Sequence, residues 1–120
     1  MSPASAKEFF EAIATKANRS CEGTKIMREW VGHYYGKIIQ FDLDAEKFHL
    51  VVSNGGMTVV DGEYPAPDLT LRGSSKLILD VFTGRKRFGV AVKNWELVLI
   101  GAGHDGFVLG GLIATITLEV

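Results

Sequence analysis

The stretch Lys37–Asp61, KIIQFDLDAEKFHLVVSNGGMTVVD, decides the fold. Along Lys37–Asp44, Ile39, Phe41 and Leu43 fall on one side, with Gln40, Asp42 and Asp44 on the other. Phe48–Ser53 alternates in the same way through Phe48, Leu50 and Val52, and Met57–Asp61 returns as a third run. A period of two sends successive side chains to opposite faces of a strand. Between the second and third runs, Ser53-Asn54-Gly55-Gly56 signals a hairpin, because Asn-Gly tolerates the positive φ of a tight primed turn. Three strands joined by short loops predict an antiparallel meander.

Beyond the meander, Asp61-Gly62 and Pro65-Ala66-Pro67 break the alternation, and Asp68–Arg72 resumes it with Leu69 and Leu71 on one face. Ser74 or Ser75 is placed to cap a helix whose Leu77, Ile78, Val81 and Phe82 share a face, and Gly84 is placed to stop it. Arg85-Lys86-Arg87 precedes an apolar turn, Phe88–Val92, and Trp95–Ile100 reads as a fifth strand. Phe107–Ala114 (FVLGGLIA) then runs eight residues without a polar side chain, as a last helix.

Upstream, Ser5 or Ser2 can cap a first helix, with Glu8 where a capping box wants it. Phe9, Phe10, Ile13, Ala14 and Ala17 recur at helical spacing. The helix is expected to fade near Gly23, leaving a link through Trp30, Tyr34 and Tyr35. Altogether the order predicts an α+β domain: a mainly antiparallel five-stranded sheet with helices packed on one face. One hundred and twenty residues suit a single domain, 1–120, with one core.

Bulk properties narrow the function classes. Hydrophobic content of 47% and charge of 22% are ordinary for a globular chain. A net charge of −1 gives no general drive toward nucleic acid. The strands carry Asp42, Asp44, Asp61 and Glu96 rather than interleaved basic and aromatic residues, so no nucleic-acid partner is expected. His33, His49, His104 and Cys21 show no metal-ligand spacing, and the lone Cys21 precludes an internal disulfide. Met1–Ala6 lacks the features of a signal peptide, no segment is apolar for long enough to span a membrane, and Leu118-Glu119-Val120 is no peroxisomal address. The expected location is cytoplasmic.

Gly101-Ala102-Gly103-His104-Asp105-Gly106 matches a G-x-G-x-x-G phosphate loop, with Glu119 roughly where a ribose-binding acid would fall. Topology overrules the match. A dinucleotide fold needs further parallel βα units, and a hairpin meander precedes this motif instead. The plainer expectation is a flexible turn with Asp105 as a helix cap. Asp42 with His49 could form an acid–base pair, but adjacent carboxylates on a strand more often make a solvated face. Arg85-Lys86-Arg87 with nearby Lys93 suits either a solvated turn or acidic lipid headgroups. Gly106 and Gly110 form a G-x-x-x-G pair that could bring two copies together.

Several segments then occur in a telling order. They are Gly36-Lys37-Ile38-Ile39-Gln40-Phe41-Asp42-Leu43, the Phe48–Ser53 strand, Pro67-Asp68-Leu69-Thr70-Leu71, the Ser75–Gly84 helix and Leu97-Val98-Leu99-Ile100-Gly101. This series resembles the sterol carrier protein type-2 family of lipid-binding domains. The resemblance implies an apolar tunnel between sheet and helices that takes acyl chains, sterols or other hydrophobic molecules. It also implies that the chain is not an enzyme, with no catalytic residue, metal or cofactor. Two departures stand out. Trp95-Glu96 replaces the family's common Gly-Lys, and Ile116–Val120 looks like an added β segment. The expected tunnel wall is Phe41, Leu50, Phe82, Phe88, Trp95, Phe107, Leu112 and Ile113, with the last helix as gate. The expected partners are a hydrophobic small molecule or lipid and a transient membrane contact. The alternative is an accessory module of the same fold that forms a homodimer through Gly106, Gly110 and the last helix.

Overall fold

Ser5 opens the first helix of the computed structural model, which describes residues 5–32 and 36–118. Its hydroxyl accepts from the Glu8 backbone N–H at 3.1 Å, and α1 runs Ala6–Arg19. Two more first-turn donors, Ala6 and Lys7 N–H, reach the Glu46 carboxylate at 3.0 Å each, tying α1 to the turn between the first two strands. The stripe Phe10, Ile13, Ala14 and Ala17 is buried.

The chain does not fade into a link at Gly23. Ser20 adopts extended backbone, and its hydroxyl accepts from Gly23 N–H at 2.9 Å to start α2, Cys21–Val31. Gly23 is the point where three helices meet. A Cβ there would lie 2.9 Å from the Ala17 carbonyl oxygen and 3.1 Å from Ile116 Cγ2. Trp30 belongs to α2. His33, Tyr34 and Tyr35 lie outside the described residues, as do Ser2 and Glu119.

The meander follows as expected: β1 Lys37–Leu43, β2 Lys47–Ser53 and β3 Gly56–Asp61, with Gly55 at φ +88° in the hairpin. Asn18 closes the free edge of β3. Its side chain accepts from Met57 N–H at 2.7 Å and donates to the Met57 carbonyl at 3.0 Å, as a neighbouring strand would.

The sheet is mixed, a correction to the mainly antiparallel expectation. Its order is β3-β2-β1-β4-β5, and β4 (Leu69–Gly73) pairs with β1 in parallel, from Ile39↔Leu69 to Leu43↔Gly73. The other three pairings are antiparallel. After Gly62 the chain crosses the outer sheet face to the far side of β1, guided by a buried polar clamp. Gln40 Nε2 donates to the Gly62 and Phe48 carbonyls, while its Oε1 accepts from Tyr64 N–H at 2.8 Å. Asp68 Oδ2 accepts from Ile38 N–H at 2.7 Å. Local alternation shows that a fourth strand exists but not which neighbour it chooses.

α3 (Ser75–Phe82) is capped by Ser74 and buries Leu77, Ile78, Val81 and Phe82. α4 is Phe88–Lys93. β5 is only Val98–Gly101, because Trp95 takes φ +61° and the Glu96 and Leu97 N–H groups both turn back to the Ala91 carbonyl. Gly101, at φ +110°, would place a Cβ 2.5 Å from the Asp68 carbonyl oxygen, so the first glycine of the phosphate-loop match serves strand packing.

α5 runs His104–Leu118. The expected terminal β segment is helix as far as the description extends, with Ile116 fully buried. Its Leu109, Leu112, Ile113 and Ile116 keep the helical stripe going, and Thr115 Oγ1 donates to the Gly111 carbonyl inside the helix. Asp105 is no cap; it lies within the first turn, 4% exposed, and accepts from Trp30 Nε1 at 2.9 Å. One core cluster joins the inward strand residues Ile39, Phe41, Phe48, Leu50, Leu69 and Leu71 to the buried stripes of α1, α2, α3 and α5. The outer face keeps Gln40, Asp42, Thr70 and Arg72 around a small polar hollow.

Candidate functional site

Four elements leave a gap where they should close. Phe9 of α1, Val81 and Phe82 of α3 with the following Thr83 and Gly84, and Phe88 of α4 form one side. Gly106, Phe107, Gly110, Ile113, Ala114 and Thr117 of α5 form the other. Together they line a half-open cleft of about 600 Å³, within the range of small-molecule sites.

The cleft exists because of how α5 is written. Leu109, Leu112 and Ile116 turn into the core, while Gly106, Gly110, Ile113 and Thr117 recur at helical spacing on the cleft side. Gly106 is tight, since a Cβ would lie 2.7 Å from Phe88 Cζ. Gly110 is the opposite case: a Cβ there meets nothing within 4 Å. Absence of a side chain at residue 110 therefore keeps volume open. Phe88 and Phe107 meet at the rim with centroids 4.8 Å apart, and Phe107 remains 57% exposed.

Among the described residues no charged side chain lines the cleft. Its hydroxyls are Thr83 and Thr117, and Thr83 already donates to the Leu79 carbonyl at 2.6 Å. Such a lining solvates aliphatic or aromatic matter and offers no partner to a buried charge.

Of the eight expected wall residues, the structure gathers Phe82, Phe88, Phe107 and Ile113 around this space. Phe41, Leu50 and Leu112 are fully buried in the side-chain core instead. Trp95 stands away from the cleft, 83% exposed. Sequence reasoning passed over Phe9, Val81, Gly110, Ala114 and Thr117. The i, i+4, i+7 recurrence of Gly110, Ala114 and Thr117 is a usable signal, but Gly110 also completes the G-x-x-x-G pair with Gly106, which points to a helix contact instead. Gly106 and Gly110 do not both face outward, because Phe88 covers Gly106.

Asp42 and His49 lie on the sheet face opposite the core. Asp42 pairs with Arg72 at 3.0 Å and Lys47 at 3.8 Å, and His49 Nδ1 lies 3.1 Å from the Gly62 carbonyl oxygen. Among the described residues no group of three or more His, Cys, Asp or Glu could hold a metal ion. Among them, too, no helix is long and apolar enough to cross a membrane.

Residues 14–101 match the family model described as the SCP-2 sterol transfer family. No curated protein matches the sequence. Among solved structures, a UbiJ-SCP2 ubiquinone synthesis protein aligns with TM-score 0.75 and 15% identity, over 91% of this chain and 88% of that one. The palmitated SCP2L2 from Aedes aegypti aligns with TM-score 0.58 and 18% identity, over 91% and 94%. The inverting sec-alkylsulfatase Pisa1 from Pseudomonas sp. aligns with TM-score 0.69 and 17% identity, over 90% of this chain but only 16% of the enzyme. At these identities the likeness is one of fold.

Proposed function

The chain belongs to the SCP-2 sterol transfer family, and from that premise we propose that its one domain binds and transfers a hydrophobic small molecule without catalysing a reaction. The observation that carries this reading is the cleft beneath α5. Closed and dry, a void near 600 Å³ would cost about 14 kcal/mol at about 24 cal/mol per Å³, as much as the most stable small domains have in total, roughly 5–15 kcal/mol. The cleft is half open, so solvent or a guest fills it. An acyl chain gains up to about 0.8 kcal/mol per methylene, so about ten methylenes offset a substantial association cost. A fold neighbour, SCP2L2 from Aedes aegypti, was solved in palmitated form.

In this reading α5 is the gate. It has no polar face to fix it against water, Phe107 stands at the mouth, and glycines at 110 and 111 each weaken the helix by about 0.5–1 kcal/mol relative to alanine. Transfer brings the protein into transient contact with membranes. A cytoplasmic location suits the exposed Cys21 thiol. Asp42 and His49 are engaged on the far face, which leaves an acid–base reaction in the cleft without its groups.

Native mass spectrometry of the protein purified from its own cells is expected to show a co-purified lipid, and a fluorescent fatty acid is expected to bind saturably. Absence of both rejects the carrier. A second reading, a homodimer, draws on the exposed ridge of Phe107, Gly111 and Ala114. Sedimentation of Gly111→Arg tests it: a dimer that dissociates, with no lipid uptake in the parent chain, favours assembly over transport.

A further inference from the structure

We propose that residues 85–95, the turn before α4 together with its outer face and Trp95, dock the protein on an anionic lipid surface. The segment 81–95 contains Arg85, Lys86, Arg87 and Lys93 and no acidic residue. It therefore holds four positive charges in a chain of net −1, leaving −5 for the rest. Lys86 is paired with Glu96, and Arg85 lies 3.9 Å from Asp80, which Lys76 also approaches. Among the described residues, neither Arg87 nor Lys93 forms an ion pair.

Geometry adds apolar anchors to this charge. On α4, Ala91 is buried while Gly89, Val90 and Lys93 face solvent, so Arg87, Val90 and Lys93 form one row at three-residue spacing. Val90 is 44% exposed. Trp95 has the left-handed backbone that non-glycine residues seldom adopt, at φ +61°, and it holds its indole in water rather than in the core. An exposed indole two residues along the chain from the exposed Lys93 fits the headgroup level of a bilayer, where tryptophan and basic side chains both gain. Arg85–Arg87 links two residues of the cleft wall, Gly84 and Phe88, and Phe88 touches Phe107 at the mouth. Docking through this segment would present the opening to the lipid. The purpose of docking rests on the carrier reading; the docking itself is measured without any ligand.

The test is co-sedimentation of the full chain with vesicles of phosphatidylcholine alone or with phosphatidylserine added. Binding is expected only with phosphatidylserine, falling with salt, and weakening about fivefold for each cation removed. The Arg85→Glu, Arg87→Glu, Lys93→Glu chain is expected to stay in solution. Should that chain misfold by circular dichroism, the unmodified chain decides: its tryptophan emission is expected to shift to the blue on vesicles, and the shift is expected to vanish in Trp95→Phe. Equal binding to both vesicle types, full binding by the reversed chain, or no emission change on bound protein overturns the proposal. Fatty-acid uptake measured without vesicles keeps the two readings apart. Uptake retained by the reversed chain together with lost vesicle binding supports docking, whereas no uptake by the unmodified chain overturns only the carrier.

Discussion

Two phenylalanine clusters share Phe82 and end differently. On the α1 side, Phe10, Phe41 and Phe48 close on one another with centroids 4.6, 4.8 and 5.9 Å apart, and Phe82 stands 5.3 Å from Phe10. On the α5 side, Phe82 reaches Phe88 at 6.2 Å, Phe88 meets Phe107, and the remaining space is open. The helices explain the contrast. α1 divides its residues between a buried apolar stripe and a charged face carrying Glu8, Glu11 and Lys16, so one neighbour satisfies it. α5 is apolar around its circumference, so the sheet side satisfies only half of it. A solid region and a hollow one can thus be built from the same side chain, depending on what the other face of the helix requires.

The largest effect should separate the two clusters by stability. Phe10→Ala is expected to cost about 3–5 kcal/mol in urea unfolding, while Phe107→Ala costs under about 1 kcal/mol and acts on ligand affinity instead. A similar loss at both positions would mean that the hollow is as well packed as the core. Next, Gly110→Phe should fill the cleft from its α5 wall and lower fatty-acid uptake at least about tenfold, with the fold intact by circular dichroism. Uptake equal to the parent chain would move the site elsewhere.

Glycine-to-alanine changes sharpen the same contrast with opposite signs. Gly23→Ala, on the solid side, should destabilise by about 1–3 kcal/mol, because its Cβ would press on the Ala17 carbonyl. Gly111→Ala, with nothing near its Cβ, should stabilise by about 0.5–1 kcal/mol. Thermal melts of the two variants check the pair.

The smallest effect concerns the solid side in acid. The Ser75 backbone N–H, 2.9 Å from Asp44 Oδ1, holds that carboxyl below its ordinary value of 3.8, with a further contribution from Ala45 N–H. A depressed folded-state value means that the stabilisation is present above about 3.8 and is lost as pH falls through the lower folded value. Asp44→Asn should be slightly less stable than the parent chain at neutral pH, with the gap closing in acid. A gap that persists unchanged at low pH would contradict this origin.

The first three strands were legible in the sequence because alternation and Asn54-Gly55 act locally, and the two caps were legible to within a pair of serines each, Ser5 or Ser2 and Ser74 or Ser75. α2 was not, because a one-residue break at Ser20 resembles the end of a helix when Gly23 follows so soon. The parallel pairing of β4 depends on the crossing held by Gln40, a long-range contact with no local trace. Trp95 left the expected strand through a backbone turn that its residue type does not favour. In the site, alternation puts Phe41 and Leu50 on one strand face, and both are buried, whereas the all-apolar run 107–114 gives no period from which to place Leu112. What an inward side chain meets, another side chain or open space, depends on residues elsewhere in the chain, so core and cleft looked alike.

The most direct test is intermolecular NMR contact between a bound long-chain fatty acid and assigned methyl groups. Nuclear Overhauser effects are expected to Val81, Ile113 and Ala114, which line the cleft, and not to Ile39 or Leu50 in the interior. Contacts to Ile39 and Leu50, or a bound acid touching none of the cleft methyls, would contradict the account.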